Sequence, residues 1–175
     1  MNKILLIDGH SILNRAFYGV PPLTNFEGLH TNAVYGFINI MLKSLEDEHA
    51  DYIAVAFDLK APTFRHEMFA EYKGTRKPMP QELHEQVPVI KEVLAAMTIP
   101  VITLEGYEAD DILGTLAKRC QRDGFEVSIL SGDRDLLQLA DEHIKIRMPK
   151  TVKGQTSIEN YYPSDVIDKY QVTPE

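Results

Sequence analysis

Residues 107–135 read YEADDILGTLAKRCQRDGFEVSILSGDRD, and the two periods within that stretch decide the fold. Ala109, Ile112, Leu113, Leu116, Ala117 and Cys120 recur at i, i+3, i+4, i+7, i+8 and i+11, the spacing of one helix face, and Gly124 is the residue that ends such a helix. Directly after it, FEVSIL is a short apolar run with β-branched residues, which predicts a buried strand. The alternation extends outward in both directions. KILLID (3–8), YIAVAFD (52–58), PVITLE (100–105) and HIKIRM (143–148) predict further strands. Thr31 is placed to cap a helix running to about Glu48, with Val34, Phe37, Ile38, Met41, Leu42 and Leu45 on its core face. Another helix follows Pro80, carries Leu83, Val87, Ile90, Val93, Leu94 and Met97, and stops before Pro100. Strands joined by such long connections pair in parallel, so the expected fold class is α/β, a mainly parallel central sheet with helices on both faces.

The 175 residues, 44% of them hydrophobic and 25% charged, suit one domain with a full core and exclude disordered and collagen-like chains. The first apolar run, Ile4 to Ile7, is cut by Asp8, so the N-terminus offers neither a signal peptide nor a membrane span, and the expected location is cytoplasmic. A single cysteine, Cys120, excludes an intrachain disulfide and a cysteine-rich zinc site and reads as a small core residue. The net charge of −8 argues against a uniformly basic nucleic-acid glove. The distribution says something different, because residues 60–77 carry a local excess of three positive charges while residues 105–135 hold eight acids against four bases.

In an open parallel sheet, ligands bind beyond the carboxyl ends of the strands. Four of the five runs deliver acids there: Asp8, then Asp58, then Glu108 with Asp110 and Asp111, then Asp133 with Asp135. By composition that coincidence has a chance of roughly 0.02, which the preference of turns for Asp raises to about 0.1. Singly, each has a structural reading: Asp8-Gly9 is a turn, and Glu108, Asp110 and Asp111 suit the first turn of a helix. Together, with no nearby run of Lys or Arg to neutralise them, these seven carboxylates would repel one another unless cations sit among them. Oxygen ligands without Cys or paired His favour Mg²⁺ or Mn²⁺ over zinc. Two such ions about 4 Å apart can activate water for in-line phosphodiester hydrolysis. The sequence has no G-x-x-x-x-G-K-[ST], G-x-S-x-G or H-E-x-x-H motif. His10 lies close enough to Asp8 in sequence to approach the same place, although a surface or hydrogen-bonded histidine is the favoured reading.

The stretch 61–79 fits no period, and from Phe64 it interleaves Phe64, Phe69 and Tyr72 with Arg65, Lys73, Arg76 and Lys77. Aromatic faces stack on bases and cations meet phosphates, the combination used for single-stranded nucleic acid. The alternative is a solvated connector with a few buried aromatics. Asn14-Arg15-Ala16-Phe17-Tyr18 repeats the combination on a smaller scale, where the aromatic pair reads as core on a short amphipathic helix.

LLIDGHSILNRAFY, TNAVYGF, AFDLKAPTFRHEMFAEYKGTRKPMPQEL, YEADDILGTLA and SGDRDLLQL together resemble the 5′-nuclease domain family found in bacterial DNA polymerase I. That family is a flap endonuclease branch of the PIN-like nucleases. The resemblance spans essentially all of the chain and implies one three-layer, Rossmann-like PIN domain over residues 1–175. It implies a metal-dependent 5′→3′ exonuclease and flap endonuclease acting on 5′-flap or nicked DNA and on RNA primers in replication and repair. By motif, Asp8, Asp58, Glu108, Asp110 and Asp111 match the family's first metal cluster, and Asp133 with Asp135 the start of the second. Phe64, Arg65, Tyr72, Lys73, Arg76 and Lys77 fall in its helical arch, about residues 61–79. Lys73 and Arg76 are implied as catalytic contacts to the scissile phosphate, and Tyr18 as a support for an unpaired base.

The resemblance also implies two Mg²⁺ or Mn²⁺ ions in a complete domain, with two further metal-binding aspartates and a duplex-gripping helix-three-turn-helix after the point where this sequence stops, at Glu175. Weak duplex affinity and low activity are therefore expected, with a polymerase domain at most in a longer parent chain, and a monomer without membrane association. A fragment that binds metal or DNA without turnover is the competing expectation. An aspartyl-phosphate domain is a third, disfavoured because the first strand carries no D-x-D.

Overall fold

A computed structural model describes residues 1–59, 78–152 and 155–174. Six strands form one sheet: β1 (Lys3–Asp8), β2 (Tyr52–Ala56), β3 (Val101–Ile102), β4 (Glu126–Leu130), β5 (Ile144–Val152) and β6 (Gln155–Tyr161), in the order β3-β2-β1-β4-β5-β6. All neighbours pair in parallel except β5 and β6. The strand order reverses direction beside β1, so the end of β1 is the switch point where a parallel sheet opens a crevice.

Alternation along the strands feeds two cores. Leu5 and Ile7 of β1 face helices α1 (Gly9–Gly19), α2 (Asn32–Glu48) and α4 (Gln86–Ala96), joining Leu13, Phe37, Met41, Ile90 and Leu94. Leu6, with Val127, Ile129 and Ile146, packs on the other side against α5 (Ala109–Arg122), the 3-10 helix Arg134–Leu139 and α6 (Pro163–Tyr170). This is the three-layer arrangement expected from the sequence. On α5, Ala109, Ile112, Leu113 and Ala117 are buried, Leu116 and Cys120 pack partly exposed against them, and Gly124 follows with φ +89°. Left-handed backbone at the end of a helix is where glycine is favoured.

The structure corrects several local expectations. Thr31 makes no side-chain cap on α2; the buried Gln86 reaches across and its Oε1 accepts from the amides of Ala33, at 2.8 Å, and Val34, at 3.1 Å. The helix expected after Pro80 is two, α3 (Gln81–His84) and α4, because Pro88 lacks the amide that would bond His84 four residues back. PVITLE keeps only Val101 and Ile102 in the sheet; it is an edge strand, and Gly106 at φ +86° turns the following loop toward α5. Leu42 is exposed rather than core. The last expected strand runs on to Val152 and pairs with β6, which the apolar pattern does not reveal. Among the described residues, no helix is long and apolar enough to cross a membrane.

Candidate metal and nucleic-acid site

At the carboxyl ends of β1, β2 and β4 and the start of α5, Asp8, Asp58, Glu108, Asp110 and Asp133 line one cavity of about 460 Å³. Each arrives by a different local route. Asp8 ends the central strand and precedes α1, and Gly9 after it admits no side chain, since a Cβ there would lie 2.6 Å from the Phe57 ring. Asp58 lies two residues past β2, and its Oδ1 accepts from the Ala109 amide at 2.5 Å, which ties the strand end to the first turn of α5. Glu108 is the N-cap of α5 in a reciprocal box with Asp111, whose Oδ2 accepts from the Glu108 amide at 3.0 Å. Asp110 Oδ1 accepts from the Asp111 amide at 2.9 Å.

Glu108, Asp110 and Asp111 each offer a carboxylate oxygen within 4.8 Å of the others, a spacing that can hold one ion. Asp133 caps the 3-10 helix by accepting from the Asp135 amide at 2.9 Å. Asp135 itself is exposed and lines a neighbouring cavity with Asp110, Arg134 and Gln138 rather than the one holding the other acids. Six of the seven sequence-derived carboxylates therefore converge, five on the cavity and Asp111 within ligand reach of two of them, and Asp135 stands beside them.

Burial, with the charges of Asp58 and Asp133, pushes the Asp8 carboxyl up to about 7 against the pull of the Ser131 hydrogen bond. Among the described residues, no Lys or Arg forms an ion pair with Asp8, Asp58 or Asp133. A carboxylate whose charge is disfavoured by burial and by neighbouring carboxylates is what a divalent cation relieves, so the donor set fits a hard oxygen-loving ion. His10 lines the same cavity, its Nε2 lies 3.4 Å from the Asp58 carbonyl oxygen, and its ring meets Phe57 edge-on at 5.1 Å. Burial lowers its pKa.

Sequence reasoning found no run of Lys or Arg beside these acids, and among the described residues the structure brings a single arginine to the cavity. Arg15 of α1 lines the cavity, makes no ion pair among the described residues, and lies over Gly132, where a Cβ would sit 3.2 Å from its Nη2. Tyr18, read as core with Phe17, is 72% exposed at the cavity rim, its ring edge-on to Phe17 at 5.0 Å. Ser11 and Asn14 complete that wall. The helical spacing of His10, Ser11, Asn14, Arg15 and Tyr18 was the available signal, since i, i+1, i+4, i+5 and i+8 share a face. Phe64, Arg65, Tyr72, Lys73, Arg76 and Lys77 lie outside the described residues.

The family model for the 5′-3′ exonuclease N-terminal, resolvase-like domain matches residues 3–171. DNA polymerase I of Bacillus caldotenax is 53% identical over 173 residues, 99% of this chain and 20% of that protein. DNA polymerase I of Bacillus subtilis (strain 168) is 52% identical over 173 residues, 99% of this chain and 19% of that protein. The chain thus spans about one fifth of the curated relatives it matches. Among solved structures, a bacteriophage T5 5′-exonuclease with bound zinc superimposes with a TM-score of 0.71 at 19% identity, over 99% of this chain and 63% of that one. A bacteriophage T5 flap endonuclease in a pseudo-enzyme-product complex with DNA and metal ions gives 0.72 at 20% identity, over 98% and 61%. At those identities the structural likeness establishes a shared fold.

Proposed function

The chain belongs to the 5′-3′ exonuclease N-terminal domain family, and from that premise we propose that it is a divalent-metal-dependent 5′-nuclease, the nuclease portion of a DNA polymerase I-type chain, cutting phosphodiesters at 5′ flaps and 5′ ends of DNA. The observation that carries this reading is the cavity where Asp8, Asp58, Glu108, Asp110 and Asp133 meet without, among the described residues, a base ion-paired to Asp8, Asp58 or Asp133. Asp8, Asp58, Glu108, Asp110 and Asp111 would hold one Mg²⁺ or Mn²⁺, with Asp133, and Asp135 after a change of rotamer, contributing to a second. Such ions supply an activated water and charge stabilisation at phosphoryl oxygens.

The protein's own groups then act on the substrate. Arg15, at the cavity wall with no ion pair among the described residues, takes a phosphate oxygen, and its planar fork holds the phosphodiester over the carboxylates. Tyr18, exposed at the rim, offers a ring face to a base. Lys73 and Arg76, with Phe64, Arg65, Tyr72 and Lys77, contact the single strand and the scissile phosphate, a role resting on the family motif. RNA primers paired to DNA are substrates on the same terms, since an arginine fork on a phosphate and a tyrosine ring on a base face are contacts that RNA and DNA offer alike. The chain acts as a monomer in the cytoplasm.

Cleavage of an end-labelled 5′-flap DNA with Mg²⁺ or Mn²⁺, beside EDTA and Asp111→Ala controls, tests this directly. Metal-dependent cutting at the flap junction, lost in the control, is expected; activity that survives Asp111→Ala would overturn the ligand assignment. The position of Asp135 outside the shared cavity favours a second reading, binding of metal or DNA without turnover. That reading predicts a DNA complex stabilised by metal and no product.

A further inference from the structure

Ser131 follows β4 directly, is fully buried, and has its hydroxyl between the Asp8 carboxylate and the Asp133 backbone amide. Its Oγ donates to Asp8 Oδ2 at 2.9 Å and accepts from the Asp133 amide at 3.0 Å. Ser11 Oγ lies farther away, at 3.4 Å, and itself accepts from the Gly132 amide at 2.8 Å. A hydroxyl has one proton to give, and a carboxyl oxygen at 2.9 Å is a stronger acceptor than a second hydroxyl at 3.4 Å. With the Asp133 amide occupying a lone pair, the rotor has one setting, and that setting points the proton at Asp8.

From this junction we infer that Ser131 is a positioning residue for metal binding: it holds the Asp8 carboxylate by Oδ2 in one orientation toward the cavity, and fixes the Asp133 backbone in register with it. A hydroxyl placed only to satisfy the core would need no carboxylate partner. This one links the end of β1 to the loop after β4, and no backbone bond pairs Asp8 with Asp133 directly. Ser11 and Gly132 brace the same turn from α1, so the two carboxylates cannot separate without breaking both serine contacts. Groups that orient metal ligands from behind typically govern affinity by about 10- to 100-fold. The inference rests on the metal-nuclease reading.

The test is Mn²⁺ binding to the whole chain by titration calorimetry, with flap cleavage followed across Mn²⁺ concentration. Ser131→Ala should melt cooperatively without metal, bind Mn²⁺ at least about 10-fold more weakly, and recover its kcat when Mn²⁺ is raised, because the ligands remain and only their placement is lost. Ser131→Thr, which keeps the hydroxyl, should restore affinity to within about 3-fold. Should Ser131→Ala fail to melt cooperatively, Ser131→Cys takes its place, filling the volume with a weak donor and binding several-fold more weakly. Wild-type Mn²⁺ affinity in a folded Ser131→Ala or Ser131→Cys overturns the inference while leaving the nuclease reading intact. Absence of Mn²⁺ binding by the unaltered chain overturns that reading, and this inference falls with it.

Discussion

The Ala109 amide donates to Asp58 Oδ1 at 2.5 Å, so one carboxylate both faces the acidic cavity and caps the first turn of α5. The two roles separate by substitution. Asp58→Asn would retain an acceptor oxygen for Ala109 but lose the charge, whereas Asp58→Ala loses both. Asp58→Asn is expected to keep stability within about 0.5 kcal/mol and Asp58→Ala to lose about 1 kcal/mol, the usual worth of a cap, in urea unfolding without metal. Both should abolish metal-dependent cleavage. Equal stability of the two variants would show that the short contact carries no capping energy.

A buried ion pair stands on the opposite side of the sheet's central strands from α5. Glu48, at the end of α2, accepts from Arg147 Nη1 at 2.5 Å and from Lys145 Nζ at 2.6 Å, and Ser128 Oγ adds a bond at 3.1 Å. Burial pushes the Glu48 carboxyl up, but the Lys145 and Arg147 contacts outweigh it and hold it below the usual glutamate value. Glu48→Ala takes the closest partner from Arg147, which is 3% exposed, and from Lys145, while Asp47 and Asn160 still hold the guanidinium at 3.0 and 3.1 Å, so it should cost about 1–3 kcal/mol in chemical denaturation. Because the folded-state pKa is depressed, this contribution is present above the unfolded glutamate value and is lost as pH falls through the lower folded one. Replacing Glu48 and Arg147 together by Met should cost less than Glu48→Ala alone, which urea midpoints for the two variants would decide.

Much of this was legible in the sequence, and the remainder was hidden for identifiable reasons. Helix α5 was readable because its apolar period is unbroken and its ends carry acids and a glycine, so local signals and tertiary packing agree. Strand β6 was not, since Thr156 and Ser157 are exposed, Ile158 is only half-buried, and an edge strand need not carry an apolar run. Helix α6 also went unread, although Pro163 at its start and Asp165 two residues on, which accepts from the Tyr162 amide at 2.8 Å, are the residue types that open a helix. The acidic residues of the site were visible because strand ends can be counted along the chain. Arg15 could be read only through the face it shares with His10, Ser11, Asn14 and Tyr18, whereas Ser131 and the Gln86 cap act across long sequence separations, and nothing local distinguishes them from a turn serine and a polar helix residue.

Asp8 gives the metal-free chain a defined pH response. Its folded pKa, about 7, lies above the unfolded value of 3.8, so the folded state keeps a proton that the unfolded state has already lost. The stability due to this group is full below about 4 and declines as pH rises toward about 7, then stays flat. Asp8→Asn should remove that slope and leave the apo protein more stable at pH 8 by on the order of 2–4 kcal/mol. Melting in EDTA from pH 4 to 8 measures it, and added Mg²⁺ should stabilise the unaltered chain selectively at the upper end. An identical pH slope in Asp8→Asn would assign the response to another group.

Gly132 is the place where a missing side chain serves a charged one. A Cβ at that position would lie 3.2 Å from Arg15 Nη2 and 3.2 Å from Ser11 Oγ, close enough to shift the guanidinium by a few tenths of an ångström. The arginine end is flexible, so Gly132→Ala should fold within about 1 kcal/mol of the unaltered chain, the lost freedom of the unfolded state offsetting the crowding. Its effect should appear in DNA binding instead. If Arg15 holds one phosphate, Arg15→Ala lowers the slope of log affinity against log salt by about 0.7–0.9 and weakens all sequences alike. Gly132→Ala should reproduce part of that loss, and the double variant should be no weaker than Arg15→Ala alone, because both changes remove the same contact. Fluorescence anisotropy of a labelled flap across salt concentrations in Ca²⁺, a cation commonly used to suppress turnover, gives all three slopes. A slope unchanged in Arg15→Ala would remove Arg15 from the phosphate path, and additive losses in the double variant would mean that Gly132 acts through Ser11 and the Ser131 turn.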